Sequence, residues 1–336
     1  MVPHDAARHF CYRCVPVCKG PQRVKHPPQD QMTKSPDFSI CVATHNRAAL
    51  LPGLLAGLAT QAGASFEVVA IVDGETDDSA AVLHRLAGEL PLALRYEQVA
   101  HAGRGAALNR AFDLATGRFL IILDDDDHLT DGALASMLSV WNSIPEDQRP
   151  QFCGVTGLAV RPDGSVIGDR FPNAPADSDF FTMRQIRNVR GDKKEVFLRS
   201  ALGAWRFPQV SGEFRVPTNL LWFELAARYR VRFVNEPWVV KTYRPDGLTA
   251  NGLKNKVRSA RLTTMAAARA LELFPEMPWW LRFRLRVSYA RFAKHAGINR
   301  DEWPGLPRAL GIAMLADVIG EAAAWRDRRR LDELNR

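Results

Sequence analysis

The amino-acid sequence predicts an α/β protein: a mostly parallel sheet flanked by helices, followed by a helical C-terminal extension. Three observations carry that prediction. From Phe38 onward, short apolar runs alternate with stretches of helical period, the pattern of repeated β–α units. The runs are continuous in apolar residues rather than alternating, as expected of strands buried on both faces. Beyond Asn251 the texture changes to a basic, nearly all-helical pattern.

Taken in order, "FSICVA" from Phe38 reads as the first strand and Arg47–Gln61 as a helix with an apolar face. "FEVVAIV" is the second strand. Asp77–Leu90 is a helix that places Val82, Leu83, Leu86 and Leu90 on one side. A strand over Leu92–Gln98, a helix over Gly105–Ala115 and a strand over Arg118–Leu123 follow, then a helix over Gly132–Asn142. Strands are expected around Phe152–Val160 and Val166–Asp169, a helix near Val216–Tyr229, and two further strands at "VRFVN" and "WVVKTY". In this helix Trp222, Leu225 and Tyr229 fall at helical spacing and are expected in the core. The organisation is therefore an extension over residues 1–36, an α/β domain over 37–250 and a basic helical region over 251–336.

Composition is that of a globular protein, 46% hydrophobic and 24% charged. No apolar run of spanning length is free of charge, and no apolar segment of a secretory signal follows Arg8 and Arg13. A reducing cytoplasm is the expected location, with the five cysteines as thiols. Residues 1–36 lack any period and are expected to be disordered, and Met32 is a candidate alternative start. There, Cys11, Cys14 and Cys18 have metal-like spacing, with His9 or His26 nearby, but no second paired ligand set follows.

The net charge of +8 is uneven. Residues 1–36 hold six Lys/Arg against two Asp, residues 251–336 hold 17 against nine acidic residues, and the middle is mildly acidic. Basic flanks suit an anionic surface. The tail's tryptophans and arginines, in "PWWLRFRLRVSYARFAKHAG", suit attachment to the inner face of a membrane as well as they suit a packed helix with a solvated face. Its aromatics sit on no recognisable RNA or DNA module, which argues against a nucleic-acid partner.

The most informative stretch is "FLIILDDDDHL", residues 119–129. Four adjacent carboxylates raise one another's pKa unless positive charge sits among them. One reading is a solvated acidic loop before a helix, with Thr130 and Asp131 as caps. The other is a divalent-metal site at the carboxyl end of a central strand, where open α/β sheets bind ligands.

Four segments in order resemble the family 2 glycosyltransferases of the GT-A, Rossmann-like fold, over residues 38–250. They are "SICVATHNRAALL", "FEVVAIVDGETDDS", "HAGRGAALNRAFDLATGRFLIILDDDD" and the stretch from "GDKKEVFLRS" to "YRPDGLT". The resemblance implies a metal-dependent, inverting transfer of sugar from a nucleotide-diphosphate sugar, with UDP favoured by family habit. The acceptor it implies is a glycan or lipid-linked molecule of envelope polysaccharide or glycolipid synthesis. It puts Mg2+ or Mn2+ on Asp126 and Asp124, the latter nearer the ribose. Strand alternation turns Asp125 the other way, and Asp125 is counted with the donor contacts. Thr44, His45, Asn46 and Arg47 would hold the base and ribose, Asp73 the base, and Arg104 the base or diphosphate. Asn109 is expected to pack or bond within its helix near the site. "PDGLT" resembles a loop closing the site.

Two departures stand out. Val72 takes the place of one family aspartate. Thr218-Asn219 stands where an acidic base is expected, and neither side chain takes a proton at neutral pH. Glu213 or Asp192 must then serve as base, with a salt bridge to Arg215 or Arg206 as the plainer role for Glu213. Without either, the chain is a sugar-nucleotide or glycan-binding protein that kept the fold.

Overall fold

A computed structural model describes residues 35–74, 76–242, 252–298 and 312–334. The cysteine cluster of the extension and the Pro245–Thr249 loop lie outside the described residues. The first half is a run of parallel β–α units: β1 (Phe38–Thr44), α1 (Leu51–Ala59), β2 (Phe66–Asp73), α2 (Ser79–Glu89), β3 (Leu94–Val99), α3 (Arg104–Leu114) and β4 (Phe119–Ile122). Then come β5 (Asp127–Leu129), α4 (Ala133–Asn142), β6 (Phe152–Val160), β7 (Ala176–Ser178) and β8 (Lys193–Leu198). A short α5 (Arg199–Leu202), α6 (Asn219–Ala226) and β9 (Arg230–Lys241) complete the sheet region.

The sheet runs β3-β2-β1-β4-β8-β6-β9-β5, with β7 on β9. Strands β1 to β4 are mutually parallel. The antiparallel strand β8 sits between β4 and β6, and β6 and β9 again run parallel. All of β1 except Ala43 is buried, as is β2 from Glu67 onward, so each face carries its own core. Ile40, Val42, Ile121 and Leu123 meet α1 and α4 on one side; Cys41, Ile71 and Leu120 meet α3 and α6 on the other. Deep burial of Trp141 and Trp238 closes the first layer.

Three expectations need correction, and one strand was not foreseen. Val166–Asp169 is not a strand; Val166 makes one isolated bridge to Val160. "VRFVN" and "WVVKTY" are a single strand, β9, whose register against β6 shifts to pass Pro237. Strand β8, with three charged residues in six, follows no apolar pattern, yet Lys193 and Lys194 are buried in it. Asn109 bonds outside its helix: its amide bridges the N–H and C=O of Phe207 at 2.8 and 2.9 Å. That pair ties α3 to the segment leading towards α6. Trp222 and Leu225 behave as expected: Trp222 stacks on Phe180 and Leu225 is fully buried.

The C-terminal helices are α7 (Gly252–Arg258), α8 (Ala260–Leu273), α9 (Trp279–His295) and α10 (Ile312–Leu334). Of the two readings open for α9, packing holds for one of its faces. Leu281, Tyr289 and Phe292 are buried, and Arg286 and Arg291 are ion-paired to Asp317 and Asp327 of α10. No described helix is long and apolar enough to cross a membrane.

Candidate active site

The carboxyl ends of β1, β2 and β4 lie side by side because the three strands are parallel neighbours. The chain leaves β1 through Asn46 in the left-handed region (φ 52°), which asparagine tolerates better than most residues. Asn46 Oδ1 accepts the N–H of Thr76 at 2.7 Å, and Asp77 accepts that of Ala48 at 2.9 Å. The turns after β1 and β2 are thereby tied together.

All four aspartates of 124–127 meet cations from the protein itself. Arg104 Nη2 donates to Asp124 Oδ1 at 2.5 Å. Arg47 Nη1 donates to Asp125 at 2.7 Å and to Asp126 at 3.0 Å, and Thr44 Oγ1 donates to Asp125 at 2.7 Å. Lys241 Nζ lies 2.7 Å from Asp127, 3.6 Å from Asp124 and 3.9 Å from Asp192. Lys194, buried in β8, donates to the carbonyl of Ile122 at 2.7 Å behind the cluster.

The four carboxylates are not equivalent. Burial pushes Asp124 up, but Arg104, Lys241 and Lys194 outweigh it and hold the group well below the usual carboxylate range. For Asp125 burial wins over Arg47 and Thr44, and its pKa is raised. Burial likewise raises Asp127 against the pull of Lys194 and Lys241. Burial lowers Lys241, but Asp124 and Asp127 overcome this and raise it. Asp125, expected to turn away from the site, is buried and locks Thr44 and Arg47 to β4.

Asp126 fits a hard divalent cation. It is 23% exposed, and Arg47 is its only protein partner among the described residues, through one carboxylate oxygen. A carboxylate oxygen left for solvent, beside Asp124, is the donor set that Mg2+ or Mn2+ takes when phosphate oxygens complete its shell.

Asp73 is committed to the fold. Its carboxylate accepts the N–H groups of Ala102 and Gly103 at 2.8 and 2.9 Å and meets His101 Nδ1 at 3.0 Å. It shapes the turn into α3. His45 contacts the carbonyl of Asp73 through Nδ1 at 2.7 Å. The His45, His101 and Phe214 rings form a stack with centroids 4.4 Å apart at each step. His45, Asp73 and His101 are close enough to suggest a metal. Both Nδ1 atoms, however, already lie within hydrogen-bond distance of the Asp73 carbonyl oxygen, at 2.7 Å for His45 and 3.0 Å for His101.

The candidate bases separate clearly. Both oxygens of Glu213 accept N–H donors, from Arg261 and Leu262 at 2.9 Å each. Glu213 thus caps the N-terminus of α8 and makes neither of the salt bridges considered for it; Arg206 pairs with Asp113. Asp192 lies just before β8 with its side chain 47% exposed, facing the aspartates across Lys241. Thr218 begins α6. Sequence reasoning missed Lys194, Lys241, His101 and Phe214. A lysine inside a strand run, as in "WVVKTY" and "KKEVFL", was the available signal for the first two.

Residues 39–188 match the model of glycosyl transferase family 2. Over that stretch the chain is similar to the family 2 glycosyltransferases. A "PGL/p-HBAD biosynthesis glycosyltransferase" of Mycobacterium bovis is 38% identical over 95 residues, 28% of this chain and 37% of the relative. The chain thus spans little more than a third of the length of that relative. A Campylobacter jejuni "GalNAc(5)-diNAcBac-PP-undecaprenol beta-1,3-glucosyltransferase" is 24% identical over 237 residues, 66% of this chain and 70% of that protein. Among solved structures, Staphylococcus aureus TarS 1-349 in complex with UDP-GlcNAc superposes with a TM-score of 0.57 at 17% identity, covering 88% of this chain and 90% of that one. The mannosyltransferase PcManGT of Pyrobaculum calidifontis, solved with GDP-Man and Mn2+, gives 0.51 at 20% identity over 93% and 86%. These likenesses show a GT-A fold, with the helical region following the sheet.

Proposed function

We propose that the protein is a metal-dependent, inverting glycosyltransferase that moves a sugar from a nucleotide-diphosphate donor, UDP-linked by preference, to a glycan or lipid-linked acceptor of the cell envelope. The observation that carries this reading is the Asp124–Asp126 edge at the end of β4, ringed by Arg47, Arg104 and Lys241. Mg2+ or Mn2+, held by Asp126 with Asp124, would neutralise the diphosphate as it leaves. Arg104 and Arg47 add fixed positive charge on the same side. His45 offers a ring face to the nucleobase, and Thr44, Asn46 and Asp125 hold that turn in place. Asp73 acts at one remove, by shaping the turn that carries His101 and Arg104.

Asp192 takes the proton of the acceptor hydroxyl. The acceptor oxygen bonds to the anomeric carbon as the bond from that carbon to the diphosphate oxygen breaks, and the configuration inverts. An acceptor of this class would put the protein at the inner face of the plasma membrane. The capping of α8 by Glu213, with Thr218 at the start of α6, favours one other reading: a sugar-nucleotide-binding protein without turnover.

The test is hydrolysis and transfer with a panel of UDP-, GDP- and dTDP-sugars and Mn2+, using lipid extract as acceptor. Turnover lost in both Asp126→Ala and Asp192→Asn, with donor still bound by Asp192→Asn, supports the enzyme. Binding that depends on Asp126 but never leads to turnover supports the binding protein.

A further inference from the structure

Helix α10 is built inside out. The side chains it turns towards α9 are small or paired: Ala316, Gly320, Ala323 and Ala324 are buried, and Asp317 and Asp327 are neutralised by Arg286 and Arg291. A Cβ on Gly320 would come within 2.6 Å of the Ala290 Cβ and 2.7 Å of the Val287 carbonyl, so the helices touch backbone to backbone. The large apolar side chains face away. Met314 is 61% exposed, Val318 59% and Trp325 58%, with Leu315 and Ile319 beside them. A helix that packs on water-facing terms does the reverse, whereas small-residue seams with outward apolar bulk suit a lipid environment.

The exposed apolar groups are also gathered at one place. Of the nine large apolar side chains exposed among the described residues, seven lie on α9 and α10. The pairs Arg286–Asp317 and Arg291–Asp327 set the two helices parallel. Trp279 and Trp280, at the start of α9, therefore share an end with Met314 and Leu315. At the other end of the stripe, Trp325 carries the Arg329 guanidinium 4.7 Å from its ring, and Arg326, Arg328 and Arg330 are exposed beside it.

We propose that the outer face of α10, with the Trp279–Trp280 corner of α9, docks on the surface of an anionic lipid bilayer. The apolar stripe enters the interface while Arg326, Arg328, Arg329 and Arg330 meet lipid phosphates. Charge selects this occupant over a second copy. Two such faces related by a twofold axis would set arginines against arginines or against the apolar stripe. Docking is separate from the transfer chemistry and uses no residue of the candidate active site.

The test is flotation of the full chain, without donor or acceptor, on vesicles of phosphatidylglycerol with phosphatidylethanolamine and on vesicles of phosphatidylcholine alone. Flotation is expected on the anionic vesicles and at least tenfold less on the neutral ones. Leu315→Glu with Val318→Glu should reduce it at least tenfold, and Arg326→Gln with Arg329→Gln should reduce it and weaken its salt dependence. Brominated phosphatidylglycerol should quench tryptophan emission less in Trp325→Phe. Unchanged melting temperature and unchanged UDP-sugar binding in these variants serve as the folding controls. The proposal is overturned if wild type fails to float, or if the acidic pair floats as well as wild type. It is also overturned if that pair only turns a dimer into a monomer, which assigns the face to a second copy.

Discussion

Lys241 and Asp127 face each other across the β9–β5 pair, with Nζ 2.7 Å from Oδ2. This contact joins the last strand of the sheet to the end of the aspartate run. Both side chains are largely removed from water, so removing one leaves the other uncompensated. Lys241→Met should lower unfolding free energy by about 3 kcal/mol. Asp127→Asn added to it should restore much of the loss. Simple additivity of the two substitutions in urea denaturation would show that the pair is not coupled.

Asp124 gives a pH dependence of definite sign. Arg104, Lys241 and Lys194 more than offset its burial, and its folded value lies below that of the unfolded chain. Its contribution is present above the ordinary carboxylate value of about 4 and is lost as the pH falls towards the folded value. Asp124→Asn should therefore destabilise at pH 7, and the gap from wild type should close as the pH is lowered below about 4. A gap of constant size from pH 7 to acid would contradict this.

The two candidate bases should fail in different ways. Glu213→Gln keeps one acceptor for the start of α8, and should cost on the order of 1 kcal/mol of stability while leaving kcat nearly intact. Asp192→Asn should leave stability and donor KM near wild type while lowering kcat by about 10²–10⁴. The opposite pattern in steady-state kinetics would return the role to Glu213.

His45 stands at the open end of a ring stack, so His45→Ala should weaken UDP binding in calorimetry by about 1–3 kcal/mol, as loss of a stacked base does elsewhere. Phe214, on the far side of His101 and 48% exposed, should matter less. Equal losses for Phe214→Ala would place the base at that end of the stack.

The parallel half of the fold is legible in the sequence because strands buried on both faces cannot carry polar residues without partners. "FSICVA", "FEVVAIV" and "FLIIL" are continuous for that reason, and their boundaries fall within a few residues of β1, β2 and β4. Strand β8 was hidden by the same rule: Lys194 and Lys193 are buried because Ile122, Ile167 and Arg190 supply carbonyl partners. Local pattern cannot reveal partners 72 residues away. The aspartates of the site were legible as a run, but their counter-charges were not, since Arg47, Arg104 and Lys241 come from three distant elements. Positive charge does sit among the four carboxylates, and Arg47, Arg104 and Lys241 supply it from the chain itself.

The order of the strands has a consequence for how such a protein can change. Everything from β1 to the aspartates is one uninterrupted stretch, stitched by neighbours in sequence, whereas Asp192 and Lys241 return from much later through β8 and β9. Under the proposed function, the grip on one reactant and the welcome to the other are thus inherited from separate passages of the gene. Substitutions around Asp192 can drift towards a new recipient molecule while the stretch from Thr44 to Asp126 stays as it is.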